Sequence, residues 1–268
     1  MYAFIPITLL LTLSTHLEMQ QPRYSKVNFI SEVSNIKAGS PFRVAFVIDL
    51  ERGWHVYWSN PGDSGMPTSV VWKLPSGFTV SELQFPFPKA FNDAGIVSYG
   101  FENRAVILAT ITPSKNLSLN SKVEIEAEVK RLVCKDTCLP ESSKHKLNLT
   151  VKQNPEWNTS SRSIITTAQG TIPTVKQGWS VKSSIKPSEL VLNIKPGNLN
   201  LTEVNSAYFF PLNENLIQHS EPQRMTRKSG ELELTIKRNT NSSAQTGKIQ
   251  GVICLYLKNN RVEAYLVK

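Results

Sequence analysis

A chain of 268 residues that is 40% hydrophobic and 19% charged has the composition of a folded protein and enough length for two ordinary cores. Its formal net charge of +9 invites a nucleic-acid interpretation, but Lys and Arg are scattered, and no recognition helix, RNP-like segment or basic arm is present. Without a Gly-rich phosphate loop, an HExxH helix or a GxSxG elbow, the sequence gives no support for nucleotide or hydrolase chemistry.

The N-terminus predicts a secretory signal peptide. Residues 1–14 form an apolar run of the length of a signal-peptide core, which is short for a membrane span. No Lys or Arg precedes this run and no clear Ala-x-Ala follows it, so a buried first strand is the alternative interpretation. We expect residues 1–20 to be the signal and the mature protein to occupy an oxidising compartment, where disulfides persist.

Strand patterns dominate the first half of the chain. Apolar residues alternate or cluster in short runs that are broken by Gly, Pro, Asn and Ser. Eight short strands at this spacing predict an antiparallel β-sandwich. The predicted strands are Val27–Val33, Phe42–Leu50, Trp54–Trp58, Ser69–Leu74, Phe78–Phe85, Ala105–Ile111, Lys122–Val133 and Lys146–Val151.

Two aromatic and Gly-rich stretches, Gly53–Gly65 and Ala94–Glu102, stand out from this pattern. The first stretch, Gly53–Gly65, ends in a turn-forming run. One interpretation is a strand with a core Trp followed by a tight loop, and the other is a loop that borders the cysteines described below. The second is either a hairpin with core aromatics or a further border of the same site. The candidate site residues in these stretches are Trp54, His55, Tyr57, Asn60, Pro61, Gly62, Asp63 and Tyr99.

The strongest chemical signal is the spacing of Cys134 and Cys138, two of only three cysteines. A disulfide needs Cα atoms roughly 4.4–6.8 Å apart, whereas four residues of extended strand span about 13 Å. The pair can therefore close only on a turn. Because so small a ring restricts the unfolded chain by only about 2 kcal/mol, a bridge here favours opening and closing over a structural role.

Other interpretations of the cysteines stay open. They could form a passive local disulfide, remain two unpaired thiols, or join His145 in a Cys-x3-Cys-x6-His metal site. Structural zinc usually shows tighter Cys pairs and four ligands, so no metal is assigned. Lys135 favours a thiolate at the pair and Asp136 opposes it.

The strand before the cysteines predicts where the first sulfur lies. Within the strand predicted at Lys122–Val133, residues 122–130 alternate between apolar and charged side chains, and Cys134 has the parity of the charged face. Its sulfur is therefore expected near solvent rather than in the core, unless a β-bulge reverses the alternation.

The second half of the chain predicts a helix, a linker and a smaller β domain. The pattern of Pro155–Gly170 predicts one short amphipathic helix, and Thr171–Thr174 is predicted to be a linker. Cys254 lies in an apolar run and is expected to be buried, although the odd cysteine count leaves an intermolecular bridge open. The predicted strands are Trp179–Ile185, Glu189–Ile194, Ala207–Phe210, Glu231–Ile236, Lys248–Leu257 and Arg261–Val267.

Several of these segments resemble a known family. They are similar to the periplasmic N-terminal region of bacterial DsbD-type protein-disulfide reductases, and within it to the ScsB-like branch associated with suppression of copper sensitivity. The resemblance covers roughly residues 25–268. The segments that carry it are Gly53–Gly65, Val97–Glu102, Leu132–Glu141 and Tyr208–Asn213, with His219 and Gln223 following.

The resemblance implies an all-β chain: an immunoglobulin-like redox sandwich over residues 22–152, a helix and linker over 153–174, and a second β domain over 175–268. It implies that Cys134 and Cys138 are the redox pair, that Cys138 forms the mixed disulfide with a client, and that Asn60–Gly65 is a cap loop. The better-known DsbD branch has a wider cysteine spacing than this chain.

The resemblance also implies partners. A membrane-embedded DsbD/CcdA-like protein would supply electrons, and oxidised periplasmic thioredoxin-fold proteins would receive them, without a cofactor and without nucleic acid. Family members usually continue into a multi-span membrane domain and a thioredoxin-like domain, and these 268 residues contain neither. The alternative function is a non-catalytic binding module that handles copper through Cys134, Cys138 and His145, since thiolate and imidazole suit that metal.

Overall fold

The computed structural model describes residues 23–240 and 248–268. The signal peptide predicted at residues 1–20 lies outside the described residues. Within them the fold consists of antiparallel strands with one α-helix and one short 3₁₀ turn. No described helix has the length and apolar character needed to span a membrane.

The first β-sandwich is built from two sheets. One has the strand order β1-β2-β8-β5, and the other has the order β10-β9-β3-β7-β6 with β4 added on β9. This confirms the predicted immunoglobulin-like antiparallel sandwich. Its strands are β1 (Ser25–Ser31), β2 (Phe42–Leu50), β3 (His55–Gly62), β4 (Ser69–Lys73), β5 (Thr79–Val80), β6 (Lys89–Asp93), β7 (Ile96–Glu102), β8 (Arg104–Thr112), β9 (Lys122–Cys134) and β10 (Cys138–Thr150).

The core of the first sandwich lies between these sheets. Phe46 and Ile107 from one sheet pack against Val56, Val129 and Val133 from the other, and all are almost fully buried. The period-two alternation of β9 places its apolar residues inward and its glutamates outward. Each buried aliphatic side chain contributes about 1.5–3 kcal/mol of transfer free energy.

Some predicted strands have different bounds in the structure. The strand predicted at Phe78–Phe85 shortens to β5, because the chain beyond Val80 follows β8 only through Ser81 and Gln84. The strand predicted at Lys146–Val151 starts earlier, at Cys138, as one arm of a long hairpin. The hairpin interpretation of Ala94–Glu102 is borne out by β6 and β7.

The predicted linking helix is α1 (Thr159–Gln169). The Asn158 side chain caps it by accepting a hydrogen bond from the Ser161 backbone N–H at 3.2 Å. Ile165 and Ala168 are buried against Ala45 and Leu108. The helix therefore covers the outer face of the smaller sheet, which would otherwise expose apolar side chains.

The second domain is a smaller sandwich of two sheets, with orders β11-β12-β15-β14 and β13-β16-β17. The latter sheet is buried on both faces: Phe209 and Ile253 point into the domain's own core, whereas Phe210, Val252 and Cys254 pack in the core cluster of the first domain. The strands are β11 (Trp179–Ile185), β12 (Glu189–Pro196), β13 (Val204–Pro211), β14 (Arg224–Lys228), β15 (Glu231–Lys237), β16 (Gly251–Leu257) and β17 (Val262–Val267).

Cys254 is fully buried, as predicted. Burial raises the pKa of its thiol, so this group stays protonated and unreactive in the folded protein.

Candidate functional site

The two cysteines lie at the tip of the β9–β10 hairpin. The strands pair along their whole length, and Cys134 opposite Cys138 is the last pair before residues 135–137 turn the chain. Antiparallel pairing brings the two Cα atoms to 4.1 Å, and the sulfurs form a disulfide. The prediction that the pair can close only on a turn is confirmed.

The two sulfurs differ in accessibility. Cys134 is buried, with 1% of its surface exposed, whereas Cys138 is an exposed residue. The expectation that the Cys134 sulfur lies near solvent was wrong. The strand has no bulge and Cys134 keeps the parity of the outer face, but His55 and Tyr57 share that face and cover it.

Tyr57 is the side chain that meets the disulfide. Its hydroxyl donates a hydrogen bond to Sγ of Cys134 at 2.9 Å and lies 3.7 Å from Sγ of Cys138. Burial raises the pKa of Tyr57, so the phenol keeps its proton and acts as a donor. A phenol aimed at one sulfur can stabilise negative charge there when the bridge opens.

The loop after β3 supports the Tyr57 ring from behind. A Cβ added to Gly65 would lie 2.2 Å from Cε1 of Tyr57, so the backbone there lies directly against the ring. Pro67 forms a parallel bridge with Tyr57. Asp63 fixes the loop through two bonds to Val97: its carboxylate accepts from the Val97 N–H, and its own N–H donates to the Val97 carbonyl, both at 2.8 Å.

His55 is the second side chain that covers Cys134. It pairs with Cys134 in the sheet, stacks on Phe91 at 5.0 Å between ring centroids, and meets Tyr57 edge-on at 5.2 Å. Its Nε2 is buried and has no hydrogen-bond partner among the described residues. Burial lowers the pKa of His55, with the Glu102 carboxylate opposing the shift, so the imidazole is neutral at pH 7.

Other candidate residues lie away from the sulfurs. Trp54 stacks on Tyr24 at 3.8 Å, before β3 begins. Tyr99 is fully buried, and its hydroxyl bonds to residues of the second domain.

The start of the predicted cap loop also faces the second domain. Asn60 is fully buried and donates to the Pro211 carbonyl at 2.8 Å, while its own Oδ1 accepts from the Gly62 N–H. Pro61 is buried beside it. Gly65, at the end of this segment, lies against the Tyr57 ring, and Tyr57 in turn contacts the disulfide.

The ligand set of the copper-handling alternative is not assembled. His145 pairs with Ala127, seven residues along β10 from Cys138, which corresponds to about 23 Å of strand. Its Nε2 bonds to the Ser143 hydroxyl at 2.8 Å. In the part of the chain that the structure describes, no three His, Cys, Asp or Glu side chains gather at one point that could hold a metal ion.

A buried ion pair below the cysteines was missed at the sequence level. Arg131 and Glu141 face each other across the hairpin, three residues from each cysteine, with 2.7 Å between Nη2 and Oε2. Glu141 also accepts from the Tyr24 N–H at 2.7 Å and the Ser25 hydroxyl at 2.6 Å. The symmetric placement of opposite charges about Cys134 and Cys138 is the signal that could have revealed it.

The segment that contains the two cysteines is similar to a known protein family. Residues 26–150 match the family model "Thiol:disulfide interchange protein DsbD, N-terminal". The first domain belongs to the DsbD N-terminal family. It is therefore a thiol–disulfide exchange domain, and the matched segment contains the Cys134–Cys138 disulfide.

Solved structures extend the likeness to the second domain. The N-terminal periplasmic domain of ScsB from Proteus mirabilis matches with a TM-score of 0.64 at 17% identity, covering 93% of this chain and 95% of that one. The DsbD-type sandwich and the domain that follows it thus share the ScsB fold. A search of curated sequences finds no significant match.

Two further structural matches are too distant to support an argument. The C-terminal fragment of the pilin GBS80 of Streptococcus agalactiae has a TM-score of 0.29 at 9% identity, covering 91% of both chains. The yeast GGA1 GAE domain has a TM-score of 0.28 at 10% identity, covering 48% of this chain and 95% of that one.

Proposed function

We propose that this chain is the periplasmic component of a protein-disulfide reductase system. In its reduced form it would pass two electrons to oxidised thioredoxin-fold proteins, and a membrane-embedded DsbD/CcdA-like protein would reduce it again. The observation that carries the proposal is the asymmetry of the disulfide: Cys138 is exposed, while Cys134 is buried beneath a phenol donor.

The exposed sulfur is the one that meets other proteins in this mechanism. The Cys138 thiolate attacks one sulfur of a client disulfide, and the other client sulfur leaves as a thiolate and takes up a proton. The Cys134 thiolate then attacks Sγ of Cys138, which releases the second client thiolate and closes the Cys134–Cys138 bridge. Two electrons and two protons have then moved from the dithiol to the client.

Reduction of the bridge runs through the same sulfurs in reverse. A thiolate of the membrane donor attacks the exposed Cys138, and Cys134 is the leaving sulfur. Exchange is faster when the leaving thiolate is more stable. Because the Tyr57 hydroxyl donates to Cys134, it stabilises the charge that develops there. Tyr57 also blocks the approach to Cys134, which directs attack to Cys138.

The hairpin must hold the cysteines in register through both redox states. When the S–S bond opens, the Arg131–Glu141 pair remains, with 2.7 Å between its charged atoms and side-chain exposures of 1% and 6%. It ties β9 to β10 and to the start of β1. The neutral His55 packs beside Cys134 without adding a competing charge.

Location and processing follow from the same proposal. A dithiol that reduces secreted proteins must work in an oxidising compartment, and in a bacterium that compartment is the periplasm. Residues 1–20 would be removed as the signal peptide, leaving the redox sandwich of residues 22–152, the linker 153–174 and the second domain 175–268.

The test uses the reduced full chain, with oxidised glutathione and then an oxidised thioredoxin-fold protein as substrates. Cys138→Ser should abolish reduction of both. Cys134→Ser should stop after the first attack and accumulate a mixed disulfide at Cys138, visible by mass spectrometry. Cys254→Ser is the control and should retain full activity, because that thiol is buried. Full activity in Cys138→Ser would refute the mechanism.

A further inference from the structure

The pairing of β3 with β7 is interrupted beside the redox site. Tyr57 lies opposite Gly100, but the next pair is Gly62 opposite Ser98. Four residues, 58–61, therefore stand against the single residue Tyr99. We call residues 58–61 the β3 bulge. A bulged segment lacks its regular ladder bonds, so its conformation depends on what it packs against.

The β3 bulge packs against the second domain. Asn60 donates its amide N–H to the Pro211 carbonyl at 2.8 Å, and the Trp58 ring meets Phe210 edge-on at 6.2 Å. Phe210 also packs edge-on against Tyr99 at 5.0 Å. Trp58 is 2% exposed, and Asn60 and Phe210 are fully buried. Without the second domain, two aromatic rings and a buried amide would lose their partners.

Both ends of the β3 bulge reach the side chain that contacts the disulfide. Tyr57 immediately precedes the bulge. Gly62 immediately follows it, is held by Oδ1 of Asn60 at 2.8 Å, and leads to Gly65, which lies against the Tyr57 ring. A shift of the bulge would therefore move the backbone of Tyr57 and the support behind its ring together.

We propose that the second domain sets the reactivity of the Cys134–Cys138 disulfide by positioning Tyr57 through the β3 bulge. Asn60 and Phe210 are the positioning residues: neither touches a sulfur, and each acts through Tyr57. This inference rests on the proposed function, in which the bridge opens and closes with Cys134 as the leaving sulfur. It gives the second domain a role in the reaction itself.

The test compares two adjacent phenylalanines of β13. Phe210 faces the β3 bulge, whereas Phe209 faces the core of the second domain, and both are fully buried. Truncating either one costs the second domain stability, but only Phe210→Ala should disturb Tyr57. The readout is the rate at which dithiothreitol reduces the oxidised full chain, followed by acid quenching and labelling of free thiols.

Phe210→Ala should slow reduction about three- to tenfold, the effect of losing the phenol's bond to the developing thiolate. Phe209→Ala should react at the wild-type rate. Asn60→Asp, which keeps the acceptor for Gly62 but removes the donor to Pro211, should slow reduction in the same way and serves if Phe210→Ala does not fold.

A double-mutant cycle shows whether the effect passes through Tyr57. In a chain that already carries Tyr57→Phe, adding Phe210→Ala or Asn60→Asp should cause no further slowing, because the hydroxyl that they position is gone. Equal slowing with or without the hydroxyl, or equal slowing by Phe209→Ala, would overturn the inference.

The same experiment separates this inference from the proposed function. If dithiothreitol reduces the wild-type chain readily, and Phe210→Ala and Asn60→Asp react at the wild-type rate, the inference fails and the proposed function stands. If the wild-type bridge resists reduction, both fail.

Discussion

Replacing Tyr57 by Phe removes one hydroxyl and leaves the ring in place. The phenol donates to Sγ of Cys134 at 2.9 Å, and the ring lies against Gly65 through carbon atoms that Phe retains. The substitution therefore tests the hydrogen bond to sulfur with little change in packing. We expect it to slow opening of the disulfide.

The size of the effect follows from the charge on the leaving sulfur. A hydrogen bond to a charged group contributes about 1.5–3 kcal/mol. In thiol–disulfide exchange roughly half of that charge has developed in the transition state. About half the energy, or ~0.7–1.5 kcal/mol, is then lost from the barrier, which corresponds to a rate about three- to tenfold lower.

The assay is pseudo-first-order reduction of the oxidised chain by excess dithiothreitol, with free thiols trapped at intervals. Tyr265→Phe is the control, because that ring lies in the core of the second domain, stacked on Trp179, and Phe retains it. An unchanged rate in Tyr57→Phe, or an equal decrease in Tyr265→Phe, would refute the assignment of Tyr57 as the donor to the leaving sulfur.

Three further predictions concern the scaffold. Gly65→Ala should slow exchange and destabilise the first domain, since its Cβ would lie 2.2 Å from the Tyr57 ring. Gly95 also has a positive φ but lies in open space, so Gly95→Ala should cost only its backbone strain. Arg131→Met should lower the free energy of unfolding in urea by about 3–5 kcal/mol, because the buried Glu141 carboxylate loses its counter-charge. Adding Glu141→Leu should restore part of it, since the Tyr24 N–H and the Ser25 hydroxyl then lose their acceptor. Burial lowers the pKa of His55 and His145 in the folded chain. The stability that depends on their neutral forms should therefore be fully present above the unfolded pKa of 6.5 and should be lost as the pH falls below it. The readout is the melting temperature.

Each of these predictions has an outcome that contradicts it. Equal exchange rates in Gly65→Ala and Gly95→Ala would show that the loop does not support Tyr57. If Arg131→Met alone leaves the free energy of unfolding in urea unchanged, the Arg131–Glu141 ion pair does not stabilise the fold. The pH dependence should flatten in a chain carrying His55→Phe and His145→Gln, and an unchanged pH profile there would assign it to other groups.

Elements whose apolar residues cluster or alternate along the chain could be predicted from the sequence. The predicted strands Phe42–Leu50 and Trp179–Ile185 have the same bounds as β2 and β11. By contrast, β6 and β14 are short edge strands made mostly of polar residues, so no alternation marks them. The first part of β10 is equally polar, and its pairing depends on β9 rather than on its own pattern.

Part of the candidate site could likewise be predicted from the sequence, and part could not. The spacing of Cys134 and Cys138 pointed to a turn, and the turn is present. The cover over Cys134 could not be predicted from the parity of one strand, because it comes from residues 77 positions away in sequence, as the contact from Tyr57 illustrates. The interruption of β3 against β7 falls on the turn-forming run Asn60–Gly62, but that run alone does not show that Asn60 turns toward the second domain.

The reduction potential of the Cys134–Cys138 pair tests the central claim most directly. The full chain, with Cys254→Ser to remove the third thiol, is equilibrated across a series of glutathione and dithiothreitol ratios, and the free thiols are trapped. A transfer couple should have a potential well above about −300 mV, in the range of exchange proteins. A potential below that value would identify a structural bridge and contradict the proposed role in electron transfer.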